Sequence, residues 1–261
     1  MGEPKTNTDC SPWLERLLAA EQMPFSGWDF SSFEPYMVET PLRWDFEALV
    51  TKRLTPTSRL LDLGTGGGEL LRRLSHPPTQ TWVTENHPPN VALLMEQFAL
   101  QGVHVHVCDG AGPLPFASNS FDVVMNRHET IDFHEVFRVL KLGGACVVQQ
   151  VGFQNNLDLA KKLLGYPVSH SKKTQGLEAY HRAAVEAGFE VEFMDEMFPE
   201  IRFKRLETLV RFAKVIHWEF PSFSVKTCIK QLEALQETLE QTGEIVGREH
   251  RFVLALRKRG V

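Results

Sequence analysis

The apolar positions of this chain fall into two regimes that change near residue 150. Before that point, short apolar runs at Arg59–Leu63, Thr81–Thr84, Val103–Val107, Asp122–Met125 and Ala145–Val151 have the length of buried strands. Between them, Glu69–Leu74, Val91–Leu100 and Ile131–Leu140 repeat their apolar residues at helical spacing, and Gly143-Gly144 reads as the stop of the last helix. An amphipathic helix from Leu42 to about Arg53 precedes the first strand. Apolar strands separated by helices predict a mostly parallel sheet covered on both faces.

Beyond Val151 a Lys-rich irregular stretch runs to Gly176, and a helix over Leu177–Ala187 is closed by Gly188. Two further strands are expected at Glu190–Phe193 and Arg251–Leu256, which brings the sheet to seven. Helical patterns at Leu206–Ile216 and Val225–Leu239 lie between them, the second with Val225, Cys228, Ile229, Leu232, Leu235 and Leu239 on one face. This insertion, at about 204–242, reads either as a cap that shields apolar surface or as a lid over a substrate. Residues 1–41 form an N-terminal arm, with a short helix around Trp13–Ala20 followed by an aromatic segment too rich in Phe, Trp and Tyr for a disordered tail. Residues 42–261 form the main domain.

Composition narrows the function. The 261 residues, 43% of them hydrophobic, suffice for one large α/β domain. With 33 acids against 28 bases, the formal charge is −5 and no global positive field recruits nucleic acid or anionic membrane. Cys10, Cys108, Cys146 and Cys228 are far apart, with no Cys-x-x-Cys pair and no His cluster, so neither zinc nor a disulfide framework is expected. No run of eighteen apolar residues and no apolar leader is present, and the expectation is a cytoplasmic protein without membrane insertion, monomer or homodimer.

The chemistry concentrates at strand ends. Asp62 closes the first strand and leads into Gly64-Thr65-Gly66-Gly67-Gly68, with a helix beginning at Glu69. Glycines here allow a tight turn and let a ligand reach main-chain atoms. A dinucleotide fingerprint counted from Gly64 would need glycine at 69, where the chain has Glu69, and a phosphate-cradling loop would need Lys followed by Ser or Thr. An acid beside the loop instead suits a ligand carrying a cationic amino group and a sulfonium. Glu85 closes the second strand and is followed by Asn86; its carboxylate can accept two hydroxyls side by side, although the same residue could simply begin a loop.

The run LLDLGTGGGEL, residues 60–70, resembles motif I of class I S-adenosylmethionine-dependent methyltransferases. Four further segments follow in the family's order: Glu85 at the second strand end, Val107-Cys108-Asp109-Gly110 with Leu114-Pro115-Phe116, the FDxV-like Phe121-Asp122-Val123-Val124, and Glu135 to Gly144, with Leu142 where Pro is usual. Together they cover Leu61 to about Val151, and the chain looks most like the type-11 methyltransferase group. The resemblance implies a Rossmann-like, doubly wound sheet and S-adenosylmethionine as cofactor. It places Asp62, Gly64, Thr65, Gly66, Gly68, Glu85, Asn86, Asp109, Gly110 and Asn126 around that cofactor, with Glu85 on the ribose and Asp109 on the adenine amino group.

The end of the fourth strand, Asn126-Arg127-His128-Glu129, would face the sulfonium in such a fold. His128 is the candidate base, with an unperturbed pKa near neutrality, though a His after a strand can merely cap or pack. Glu129 either orients it or opens the next helix. Trp28, Tyr36, His217 and Trp218 are candidate substrate contacts, as part of an apolar roof built by the arm and the insertion. The expected reaction is methyl transfer to an O, N or C nucleophile of a small molecule by direct in-line displacement. Two alternatives remain: an RNA base methyltransferase, suggested by basic residues at Lys161-Lys162, Lys172-Lys173 and Arg202-Lys204-Arg205, or a non-catalytic S-adenosylmethionine-binding protein. Against the RNA reading, the chain lacks a four-Cys module and has no Asn/Asp-Pro-Pro-Tyr after the fourth strand.

Overall fold

The computed structural model describes residues 11–25, 30–108, 110, 112–169 and 176–260. In chain order the elements are α1 (Pro12–Glu21), β1 (Met37–Glu39), α2 (Phe46–Thr51), β2 (Leu60–Leu63), α3 (Glu69–Arg73), β3 (Thr81–Glu85), α4 (Pro88–Gln97), β4 (His104–Val107), β5 (Phe121–Arg127), α5 (Phe133–Val139) and β6 (Leu140–Val151). They continue with α6 (Leu157–Leu164), α7 (Leu177–Glu186), β7 (Phe189–Met197), β8 (Glu200–Phe203), α8 (Leu206–Val215), α9 (Ile229–Thr242), β9 (Ile245–Arg248) and β10 (Arg251–Lys258).

Seven strands form the main sheet in the order β4-β3-β2-β5-β6-β10-β7. The five strands from β4 to β6 run parallel, and β10 is antiparallel to both its neighbours. The expected doubly wound, mostly parallel sheet is what the chain builds. Because successive strand side chains point to opposite faces, Leu60, Val83, Val123, Met125, Val147 and Val253 pack against α2, α3 and α4. Leu61, Leu63, Val124, Cys146, Val148 and Phe252 pack against α5 and α7 on the other face. Both faces being covered explains why these strands read as continuous apolar runs.

Two expected boundaries move for identifiable reasons. The helix expected from Leu42 begins at Phe46, because the Asp45 side chain accepts the Ala48 N–H and caps it there. Gly143-Gly144 do not end a helix: α5 stops at Val139, and β6 already runs from Leu140 through both glycines. The β5–β6 register shifts there, pairing Phe121 with Leu140 but Val123 with Ala145, so the glycines, with Gly143 at φ +77, form an irregularity inside a strand.

The later insertion is larger than two helices. Strands β1, β8 and β9, none of them expected, form a separate three-stranded antiparallel sheet. Helix α6, within the stretch expected to be irregular, also belongs here. One apolar core joins Leu17 and Ala20 of α1, Phe33, Leu159 and Leu163 of α6, Phe203, Leu209 and Phe212 of α8, and Leu232 and Leu235 of α9. The arm, α6 and the insertion thus make a second module.

That module grows from the end of the main sheet where the parallel strands finish, since β6 leaves it at Val151 opposite the start of β10 at Arg251. Met197 pairs with Arg251 in the large sheet and Glu200 with Arg248 in the small one. Between them the Glu249 N–H donates to the Pro199 carbonyl at 2.9 Å. Two antiparallel strands therefore pass from one sheet into the other without losing their pairing.

Candidate active site

The glycine loop begins where β2 ends and is tied to β3. The Gly64 N–H donates to Thr84 Oγ1 at 3.1 Å, and the Thr65 N–H to the Thr84 carbonyl at 3.0 Å. Gly64, Gly66 and Gly68 all have positive φ, at +69, +63 and +77, a region that a Cβ disfavours. At Gly64 space is limiting as well, because a Cβ there would overlap Cβ and Cγ of Glu129.

Glu85 holds the loop from the neighbouring strand. Its buried carboxylate accepts the Gly66 N–H on Oε2 at 2.8 Å and the N–H groups of Asn86 and His87 on Oε1 at 2.9 and 2.8 Å. A longer contact, 3.4 Å, comes from Asn90 Nδ2. Asp62 is also buried, and desolvation pushes its carboxyl up to about 7 against the pull of Thr65 and the Arg127 charge.

Asn126 sits at the end of β5, opposite Leu63 of β2 and Val148 of β6. It is fully buried; Gln150 Nε2 donates to its Oδ1 at 2.6 Å, while its Nδ2 has no partner among the described residues. Buried polar groups are nearly always paired, so this orphan donor marks a place for a ligand atom. The same Gln150 Nε2 donates to the Glu129 carbonyl at 2.7 Å, and Glu129 Oε1 accepts the Thr130 N–H. Gly110 is buried, with its carbonyl accepting the Asp132 N–H at 3.1 Å. Asp109 and Trp28 lie outside the described residues.

His128 has φ +70, and its N–H donates to the Gln149 carbonyl at 3.0 Å. Its side chain keeps solvent contact, yet the surrounding protein mass and the charges of Arg251 and Arg127 push its pKa well below the usual imidazole value. The ring is neutral at physiological pH.

Beside His128 lies a buried polar cluster that the sequence did not single out. Glu219 accepts Asn155 Nδ2 at 2.6 and 2.8 Å and Asn156 Nδ2 at 2.7 Å. Asn155 Oδ1 accepts the His250 N–H at 2.8 Å and Arg251 Nη1 at 2.6 Å, and Arg251 also pairs with Glu249. Burial pushes the Glu249 carboxyl up to about 7, opposed by Arg251 and reinforced by Glu39 and Glu219. Trp44 Nε1 donates to Gln149 Oε1 at 2.8 Å, closing the side nearest β1.

The aromatic candidates fall elsewhere. His217 and Trp218 face solvent, their rings 5.3 Å apart, and the next residue, Glu219, is the one that turns inward. Phe220 and Phe223 pack in the second core. Tyr36 lies beneath the Arg205 guanidinium, 3.5 Å from its ring centre, and borders a separate cavity of about 580 Å³ with Arg16, Phe33 and Arg211. Among the described residues no group of His, Cys, Asp and Glu could hold a metal ion, and no helix is long and apolar enough to cross a membrane.

Strand order, glycine loop and strand-end acids together define the class I methyltransferase fold. Solved structures agree. A protein of unknown function from Deinococcus radiodurans R1 superposes with a TM-score of 0.57 at 13% identity, over 85% of this chain and 90% of its own. The YcgJ protein of Bacillus subtilis gives 0.54 at 17%, over 83% and 99%. Phosphoethanolamine N-methyltransferase 2 of Haemonchus contortus, solved with phosphomonomethylethanolamine and S-adenosylhomocysteine, gives 0.50 at 20%, over 84% and 54%.

Residues 61–148 match the family model described as a methyltransferase domain of type 11, the segment that carries the glycine loop and the strands around it. No protein of curated function matches it in sequence.

Proposed function

We propose that the chain methylates a small molecule held between the carboxyl ends of β5, β6 and β2 and the second module. The supporting observation is the buried polar cluster of Asn155, Glu219, Glu249 and Arg251 beyond the end of β6, whose Arg251 acts electrostatically on His128 at the end of β5. S-adenosylmethionine supplies an electrophilic methyl group, and a nucleophile aligned behind it displaces the thioether directly. Glu85 holds the ribose, a hydroxyl replacing the long Asn90 contact, and Asp62 faces the cationic amino group. Asn126 Nδ2 donates to the amino-acid end, and the backbone at Gly64, Thr65, Gly66 and Gly68 lets the ligand approach closely. Asn86, Gly110 and Asp109 complete the adenosine side. Neutral His128 lines the acceptor side, where it accepts a hydrogen bond or a proton from the nucleophile. Glu129 braces the loop beneath Gly64 and, through Gln150, fixes the end of β6.

Charge disfavours RNA as the acceptor. Lys162 donates to the Val246 carbonyl, Arg202 pairs with Glu200 and Glu244, and Arg205 stacks on Tyr36, so these basic side chains serve the fold. The buried cluster holds two carboxylates, Glu219 and Glu249, beside Arg251. Titration with S-adenosylhomocysteine in the presence of chelator tests the cofactor site, with micromolar binding expected. Labelled cofactor incubated with a metabolite extract and with total RNA tests the acceptor, and label appearing only in the RNA would overturn this reading.

A further inference from the structure

The second module holds the cavity of about 580 Å³ that Tyr36 borders, and the methyl-transfer site does not use it. Its walls come from α1, the arm, α8 and α9, with no residue of the glycine loop or of the ends of β2, β3 and β5. That volume lies within the range of about 300–1,000 Å³ typical of small-molecule sites. The charges on the walls do not balance, because Arg16, Arg205 and Arg211 stand against Glu207 alone. Glu207 is already committed to Arg16, whose Nε donates to it at 3.0 Å.

Arg205 and Arg211 therefore have no counter-charge, and among the described residues neither forms an ion pair. Each is instead held against an aromatic ring that also borders the cavity. The Arg205 guanidinium lies 3.5 Å from the centre of the Tyr36 ring, and that of Arg211 4.7 Å from the centre of the Phe33 ring. Arg211 Nη2 donates to the Pro24 carbonyl at 3.4 Å, a long contact, and its Nε is buried with no partner among the described residues. Glu207 and Thr208 belong to the first turn of α8, whose cap residue, Arg205, makes no side-chain cap bond, and this helix end adds a partial positive charge. Ala19, Ala20, Met23 and Leu239 give the same cavity an apolar surface.

We infer that this cavity binds a small organic anion, a carboxylate or phosphate monoester with a compact apolar body, whose charge is compensated by Arg205 and Arg211. A guanidinium presents paired N–H donors that match carboxylate and phosphate oxygens. A bare inorganic ion leaves the apolar surface uncovered, a neutral alcohol leaves both charges uncompensated, and an ammonium meets three cations. Because Arg16, Tyr36, Arg211 and Leu239 come from four different segments, the ligand also ties the arm to α1, α8 and α9.

The experiment is calorimetric titration of the unaltered protein with phenylacetate and phenyl phosphate, set against 2-phenylethanol, phenethylammonium and inorganic phosphate, and repeated with saturating S-adenosylhomocysteine. At least one of the two organic anions should bind at least tenfold tighter than all three controls, with S-adenosylhomocysteine present or absent. Arg205→Gln and Arg211→Gln should each weaken that binding at least fivefold, in proteins that still unfold in a cooperative thermal transition. Alcohol, ammonium or inorganic phosphate binding as tightly as the organic anions overturns the inference, as does no binding of either anion. Binding undiminished in either folded variant, or competed away by S-adenosylhomocysteine, places the anion elsewhere and overturns it too. The comparison of probes uses the unaltered protein, so it survives a variant that fails to fold.

Discussion

Replacing Glu85 by alanine separates the bracing of the glycine loop that the structure shows from the ribose contact proposed above. Within the protein the Glu85 carboxylate accepts three main-chain N–H groups. Those of Asn86 and His87 belong to exposed residues and can turn to water, but Gly66 is buried and its N–H is left without a partner. Stranding one buried donor costs about 1–3 kcal/mol. At roughly 2–4 °C per kcal/mol for a chain of this size, the ligand-free Tm should fall by about 2–12 °C. The second loss would be the pair of charge-assisted bonds proposed to the ribose hydroxyls. A weakening of roughly ten- to a hundredfold corresponds to about 1.4–2.8 kcal/mol. Thermal unfolding without ligand reads the first loss and calorimetric titration with S-adenosylhomocysteine reads the second. Glu85→Gln should fall between, because whichever way the amide turns, one oxygen cannot serve both Gly66 and the Asn86–His87 pair. An alanine variant of unchanged affinity would mean that the ribose is held elsewhere, and one of unchanged Tm that the Gly66 contact carries no weight.

Asp62 predicts a pH dependence. With its carboxyl near 7 in the ligand-free protein, it must ionise to meet a cationic amino group, so S-adenosylhomocysteine affinity should fall as pH drops below about 7. Titrations at pH 6 in buffers of different ionisation enthalpy should show proton release, and flat affinity from pH 6 to 8 contradicts the assignment. Because the folded pKa lies above the unfolded one, the stability that Asp62 contributes is present at acid pH and lost as pH rises through about 7. Asp62→Asn should therefore raise the ligand-free Tm at pH 8 and not near pH 4. Gly64→Ala places a methyl group against Glu129 at positive φ and should abolish measurable cofactor binding, as seen by titration; near-normal affinity would show that the loop can yield. His128→Asn keeps a residue tolerant of positive φ, and should lower turnover at least tenfold with cofactor affinity within about twofold. Since burial and the charges of Arg251 and Arg127 hold the imidazole neutral, the pH–rate profile of the unaltered enzyme should show no step from His128 between pH 6 and 7.

The glycine loop and its strand-end acids were legible because their requirements are local. A tight positive-φ turn, an acid at a strand end and an apolar strand are each written within a few consecutive residues, so Asp62 to Gly68 and Glu85 could be read without their neighbours. The buried polar cluster is not local. Asn155, Glu219 and Arg251 come from segments that meet only in the folded chain, and each alone looks like a polar loop residue. Glu219 was hidden beside two more conspicuous aromatic residues, His217 and Trp218, which face the other way. The second module escaped for a different reason. Strands β1, β8 and β9 are three or four residues long, too short for alternation to register, and β9 contains Gly247. Helix α6 does have an apolar face, Leu159, Ala160, Leu163 and Leu164, but over barely two turns and interrupted by Lys161-Lys162.

The paired strands that run from the large sheet into the small one set the mechanics of the enzyme. A roof of two helices could swing on flexible connections, but this one is carried on a two-stranded beam. Rotating it would break cross-strand hydrogen bonds at Pro199 and on either side, at about 0.5–1.5 kcal/mol each. Floor and roof should therefore move and melt as one body, in a single cooperative transition. Any widening needed to exchange acceptor and methylated product would then fall to side chains and short connections rather than to the lifting of a lid.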